Sequence, residues 1–288
     1  MPSLAPSTLA LSDRAVLTAS GPEAESFLQN LITTDLGKLE SGEVLPGALL
    51  TPQGKILFDF LVSRDGDAGI RLETGVEQAD GLLKRLTMYR LRAPVKLALT
   101  APATVTLAFG EADIGAGFRD MRFAKAGETV IRNYEAAADT ETGTEDYDKL
   151  RIESGIAISG SDYALQDAFP HDLLMDFNGG LSFRKGCYVG QEVVSRMQHR
   201  GTARRRVVIV RAETALPETG TPITVNGRPI GALGSVSGKS GLAIVRIDKA
   251  GEAMAKGEPI LAGDTIVTLT LPAWSGLTFP TISEEASA

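Results

Sequence analysis

The chain has 288 residues, a formal net charge of −7, 43% hydrophobic and 23% charged residues. That is the balance of a globular protein too long for one simple core. The negative charge argues against a general nucleic-acid coat, because non-specific binding to phosphates is carried by Lys and Arg. The single cysteine, Cys187, excludes an internal disulfide, and with only His171 and His199 as histidines a protein-only metal site is not expected.

In chain order, residues 11–17 read as a strand. Ser20, Pro22 and the acids Glu23 and Glu25 then open a helix whose stripe is Phe27, Leu28, Leu31 and Ile32, with Ser20 as its cap. Residues 47–64 read as a β-hairpin turned at Thr51-Pro52-Gln53-Gly54. Its second strand, 56–62, is apolar on both faces and so a buried central strand. A strand at 68–74, a helix over 76–90 with Ala79, Leu82, Leu83 and Leu86 inward, and strands near 94–100 and 103–109 follow. The stretch 111–148 is rich in Gly, Ala, Thr and Glu and reads as a surface connection. Helix resumes over 147–154.

Residues 165–200 are dense in Gly, Asp, Phe and charge, which is site-like. From Arg205 the text is β, with strands near 206–212, 222–225, 229–236, 241–247 and 265–271. Asn226-Gly227 is a strong hairpin signal, and a small β-barrel is expected here. Residues 280–288 read as a frayed tail. These shifts suggest three segments: 1–110 and 111–204 as α+β lobes, and 205–288 as the barrel. No apolar run reaches the roughly 20 residues that span a bilayer, and residues 1–6 lack a basic region ahead of an apolar one. A cytoplasmic protein without membrane contact is therefore expected. There is no Gly-x-Gly-x-x-Gly, Walker lysine loop or Gly-x-Ser-x-Gly.

The most informative stretch is Arg184-Lys185-Gly186-Cys187-Tyr188-Val189-Gly190-Gln191-Glu192. Positive charge beside a thiol favours its thiolate. Gly186 and Gly190 permit a tight turn or a close ligand, and Gln191-Glu192 opens a helix whose N–H donors lie near the sulfur. Such a cysteine can attack or bind a soft metal. On residue type alone, a buried small apolar side chain is the weightier reading. Asp59 sits mid-strand and needs a partner; a ligand N–H or Arg71 would serve. Glu153, where a helix ends at Ser154-Gly155, reads by itself as a surface residue. His171-Asp172 is an ordinary loop pair or an oriented base. Arg196, His199, Arg200, Arg204, Arg205 and Arg206 form a basic run that is either a solvated edge or an anion site.

Lys185-Gly186-Cys187-Tyr188-Val189-Gly190-Gln191-Glu192 resembles the signature of the YgfZ-type folate-binding proteins, in the superfamily of the glycine-cleavage T-protein. Residues 27–35, 49–62, 151–156, 231–237 and 241–245 resemble further family segments in the right order. The resemblance implies a T-protein-like α+β fold: mixed sheets with flanking helices, a C-terminal β-barrel and lobes around a central cavity. It implies tetrahydrofolate or a one-carbon derivative as ligand, with Asp59 and Glu153 against the pterin and Cys187 as a reactive or metal-facing thiol. It also implies iron–sulfur client or assembly proteins as partners and an indirect effect on tRNA modification. Two departures bear on the chemistry. Phe58 stands where T-proteins carry the first acid of a pair, and T-proteins keep no cysteine at Cys187. Both argue against glycine-cleavage chemistry. The competing readings are a folate-dependent aminomethyltransferase or demethylase and a non-enzymatic interaction module.

Overall fold

The computed structural model describes residues 7–66, 69–110, 117–134 and 143–280. The leader reading at residues 1–6, the tail beyond 280 and much of the Gly/Ala/Thr/Glu-rich stretch (111–116 and 135–142) lie outside them. Two units emerge: 1–144 with 175–193, and 145–174 with 194–288. This division interleaves the chain, where the sequence reading cuts it into consecutive segments.

The first unit is built on β1 (Ser7–Ser20), α1 (Ala24–Gln29), β2 (Glu43–Leu50), β3 (Ile56–Asp65), β4 (Gly69–Gly75), α2 (Val76–Arg90), β5 (Lys96–Phe109), β6 (Phe118–Asp120), α3 (Met121–Lys125) and β7 (Val130–Asn133). Its strands close a barrel in the order β1-β4-β3-β2-β6-β7-β5. Neighbours are antiparallel except β2 and β6. The central position expected for β3 holds, since it lies between β2 and β4.

Three expectations are corrected. The strands near 94–100 and 103–109 are one strand, β5, whose irregularity is absorbed as register shifts against β1 between Leu11 and Val16. Ser20 does not cap α1. It is still paired with Lys96 at the end of β1, and α1 starts instead with Ala24 N–H donating to Gly21 O at 3.1 Å. The described part of 111–148 is not merely a surface connection. It supplies β6, α3 and β7, with Phe123 and Val130 fully buried. Short strands with few apolar anchors give little periodic signal; sheet pairing decides them.

Alternation along β4 separates two environments. Ile70 and Leu72 join a cluster with Leu17, Leu28, Ile32, Leu49, Val62, Leu82 and Leu86. Glu73, out of phase with them, is fully buried and receives Arg132 at 2.7 and 2.9 Å, Arg14 at 2.9 Å and Tyr134 Oη at 3.0 Å. Arg132 also donates to Asp120 at 2.9 Å, which Arg122 holds at 2.7 Å. Burial alone would raise both acids. The arginines overcome it, holding Glu73 below its ordinary value and Asp120 at about 2.

The second unit contains α4 (Thr144–Glu153), the end of α5 (Gln191–His199), β8 (Arg205–Ala212), β9 (Pro222–Val225), β10 (Arg228–Ser237), β11 (Ser240–Arg246), α6 (Ile247–Lys256), β12 (Ile260–Ala262) and β13 (Thr265–Thr270). Its six strands form the expected closed barrel, β10-β11-β8-β13-β12-β9. Asn226 (φ 49°) and Gly227 (φ 72°) make the β9–β10 turn, the positive-φ pair of a type I′ hairpin. The barrel core is apolar: Val208, Val210, Ile223, Leu233, Val245, Val267 and Leu269. The sequence reading misses α6 and β12. The buried side of α6 is Ile247, Ala250, Gly251 and Ala253, too small to mark a stripe. Arg151 ties the segment before the barrel to it, donating to Asp162 at 2.9 Å and to Ser235 Oγ. Asp162 also accepts from Ser235 N–H.

Candidate functional site

The Cys187 loop rests on a cradle assembled by the segment after α1. Gln29 holds Asp35 at 2.9 Å. Thr33 Oγ1 accepts from Ala48 N–H at 2.9 Å, and Thr34 Oγ1 donates to Pro46 O at 2.7 Å. With the Thr33 and Thr34 side chains bonded to β2, residues 32–34 offer their carbonyls to the loop. Thr33 O takes Ser182 N–H at 2.9 Å. Ile32 O and Thr34 O take the Lys185 ammonium at 2.6 and 2.8 Å.

Lys185 is therefore an anchor, and its ammonium is aimed at those carbonyls. Burial pulls its pKa down to about 8, opposed by Asp35. Its charge lies 5.2 Å from the Tyr188 ring centre, a cation–π distance. Tyr188 Oη donates to Ser182 O at 2.9 Å, and burial raises this phenol above its ordinary value. At the far end of the loop, Gly190 has φ +79°. A Cβ there would lie 2.5 Å from Thr51 O and 3.2 Å from Gly54 Cα. Only glycine lets the loop close on the turn between β2 and β3. Gly186 has open space around its Cα. Between these anchors Cys187 is exposed, so the buried apolar reading of this residue is not what the loop presents. Gln191 and Glu192 open α5, whose first-turn acid is Glu192.

Asp59 lies half-buried on β3. Its Oδ1 accepts from Gln78 Nε2 at 2.7 Å, and its N–H donates to Gln78 Oε1 at 3.2 Å. Arg71, offered as an alternative partner, pairs with Asp65 instead and lies 4.4 Å from the Tyr134 ring centre. Gln78 is the residue sequence reasoning missed. Its signal was a buried amide beside Ala79, Leu82 and Leu86 on α2. Phe58 packs toward α2, where a Cβ on Gly81 would meet its ring at 2.9 Å.

Glu153 belongs to the second unit, whereas Asp59 and Cys187 belong to the first. It is partly exposed at the end of α4, which closes at Gly155 (φ +70°) with Trp274 Nε1 donating to Ser154 O at 2.8 Å. His171 is fully buried, its Nε2 at 3.1 Å from Gln198 Oε1. Asp172 accepts from Phe169 N–H at 3.1 Å, and burial pushes it up to about 6. The basic run divides. Arg206 is buried and donates to His171 O, and Arg205 pairs with Asp167. Arg196, His199, Arg200 and Arg204 are exposed. Among the described residues there is no cluster of three or more His, Cys, Asp or Glu able to hold a metal ion, and no helix long and apolar enough to cross a membrane.

The fold is that of the T-protein. The crystal structure of glycine cleavage system aminomethyltransferase T from Bartonella henselae superposes with a TM-score of 0.69 at 18% identity, covering 93% of this chain and 86% of that one. The family model for the CAF17 C-terminal beta-barrel domain matches residues 204–277. The mitochondrial iron–sulfur cluster assembly factor IBA57 homolog of Pyricularia oryzae is 29% identical over 294 residues, 88% of this chain and 75% of that protein. The homolog from Chaetomium globosum is 31% identical over 248 residues, 72% of this chain and 56% of its own length. The chain thus shares the T-protein fold and is similar over most of its length to these iron–sulfur cluster assembly factors. The cytoplasmic expectation is corrected by the relatives, which are named as mitochondrial proteins. Address signals are read and removed before the fold matters, so composition and fold carry no compartment.

Proposed function

We propose that the chain supports assembly or repair of iron–sulfur proteins while holding a reduced folate. The observation that carries this is Cys187: the only cysteine, exposed, on a loop fixed by Lys185 at one side and Gly190 at the other. A thiolate is a soft ligand suited to iron. One cysteine cannot supply the four protein ligands of a cluster, so a client or assembly partner supplies the rest. The names of the relatives support the cluster role, and the T-protein fold supports the folate. An effect on tRNA modification would follow only through cluster-containing enzymes.

The donor set fits a pterin, whose amino and ring N–H groups suit carboxylate acceptors. Asp59, oriented by Gln78 within the first unit, is the proposed acceptor; a role for Glu153 rests on the resemblance alone. Tetrahydrofolate, when bound, would supply one-carbon or reducing chemistry. Anaerobic calorimetric titration with tetrahydrofolate tests the folate half. Wild type binds, Asp59→Ala loses at least about tenfold in affinity, and Cys187→Ser binds as wild type. In cells, Cys187→Ser lowers the activity of a cluster-dependent enzyme. Absence of wild-type binding sinks the folate role, and full client activity in Cys187→Ser sinks the thiol role.

A further inference from the structure

A second surface lies at the C-terminal end of α2, on the first unit. Residues 84–96 carry Lys84, Arg85, Arg90, Arg92 and Lys96 and no acid, in a chain of net charge −7. Met88 is 60% exposed and Leu91 is 87% exposed. Ser20, Gly21 and residues 90–96 line an open depression beside them.

The backbone here is held at a cost. Ala93 N–H donates to Arg90 O at 2.8 Å, which closes a four-residue turn. Leu91, its first central residue, has φ 46° and ψ −105°. Those are the angles of a type II′ turn, where glycine belongs. A bulky side chain with positive φ is strained. Here the strain orients a leucine into solvent, where it gains no burial. Burial within this chain therefore does not account for a leucine at this turn.

We infer that this tip docks an acidic segment of a partner protein, with Leu91 and Met88 entering the partner's apolar side and the five cations meeting its carboxylates. Charge complementarity favours an acidic partner. Arg90, Arg92 and Lys96 border the open depression and only two large apolar side chains protrude beside it, which suits a peptide side chain better than a bilayer, where binding scales with buried apolar area. The inference does not depend on the folate or the thiol.

The test is fluorescence anisotropy with a labelled helical peptide bearing Glu on one face and Leu on the other. Wild type binds it with Kd below about 100 μM, and a Gln-for-Glu version does not bind. Leu91→Gly weakens binding at least about tenfold while raising the melting temperature, because glycine relieves the turn. Arg92→Glu weakens binding similarly, by charge reversal of an exposed residue. No wild-type binding up to about 1 mM, equal binding by both variants, or a lower melting temperature in Leu91→Gly overturns the inference. So does preferential binding to phosphatidylglycerol vesicles.

Discussion

The two barrels fill themselves differently. The C-terminal barrel buries Val208, Val210, Leu233, Val245 and Leu269 against one another. The N-terminal unit, beside its own apolar cluster, buries Glu73, Arg132 and Asp120 as a hydrogen-bonded ionic chain. Apolar packing degrades gradually as volume is removed. A buried ionic chain is all-or-none, because losing one partner leaves an uncompensated charge in low dielectric. The ionic interior of the N-terminal unit should therefore be sensitive to acid and to single charge deletions, and the apolar interior of the C-terminal barrel to neither.

The largest effect is expected from Arg132→Met, which strips Glu73 and Asp120 of a shared cation and should cost about 3–5 kcal/mol in urea unfolding. A loss under about 1 kcal/mol would mean that Arg14 and Arg122 suffice, and the contrast would fail. The folded pKa of Asp120 is depressed from 3.8 to about 2. Its contribution is thus present above about pH 4 and is lost as pH falls toward 2; melting temperatures across that window should drop for wild type.

Leu233→Ala in the C-terminal barrel should cost about 2–5 kcal/mol through its cavity. That cost should be independent of pH, which separates it from the ionic case. A cost that varies between pH 3 and 7 by about as much as the total would show coupling to a titrating group.

The smallest effect sharpens the comparison by sign. The folded pKa of Asp172 is raised from 3.8 to about 6 by burial. Its contribution is fully present below about pH 4 and is lost as pH rises through 6. Asp172→Asn, which keeps the Phe169 cap acceptor, should flatten the stability profile between pH 4 and 6, by on the order of 2 kcal/mol. An unchanged profile would remove this group as a source of pH dependence.

Much of this architecture is legible in residue order. The β2–β3 hairpin follows from Thr51-Pro52-Gln53-Gly54, α2 from its apolar stripe, and the β9–β10 hairpin from Asn226-Gly227. The weakness lay wherever apolar anchors were small or few, as in β6, β7, β12 and α6. The site divides the same way. Cys187 and its flanking glycines stand out as a motif, but the motif alone left open whether the sulfur was buried. It does not disclose that Lys185 reaches carbonyls 151 and 153 residues away.

The sequence by itself determined the local conformations: turns written in Gly, Pro and Asn, helices written in period, and a barrel written in alternation. These depend on neighbours a few residues apart. Only the tertiary structure decided the pairings. It gave Gln78 rather than Arg71 to Asp59 and Arg132 to Glu73. It divided the basic run into exposed cations and the structural Arg205 and Arg206. A buried charge takes whichever partner the fold brings within hydrogen-bond reach, and that distance in space is not written in distance along the chain.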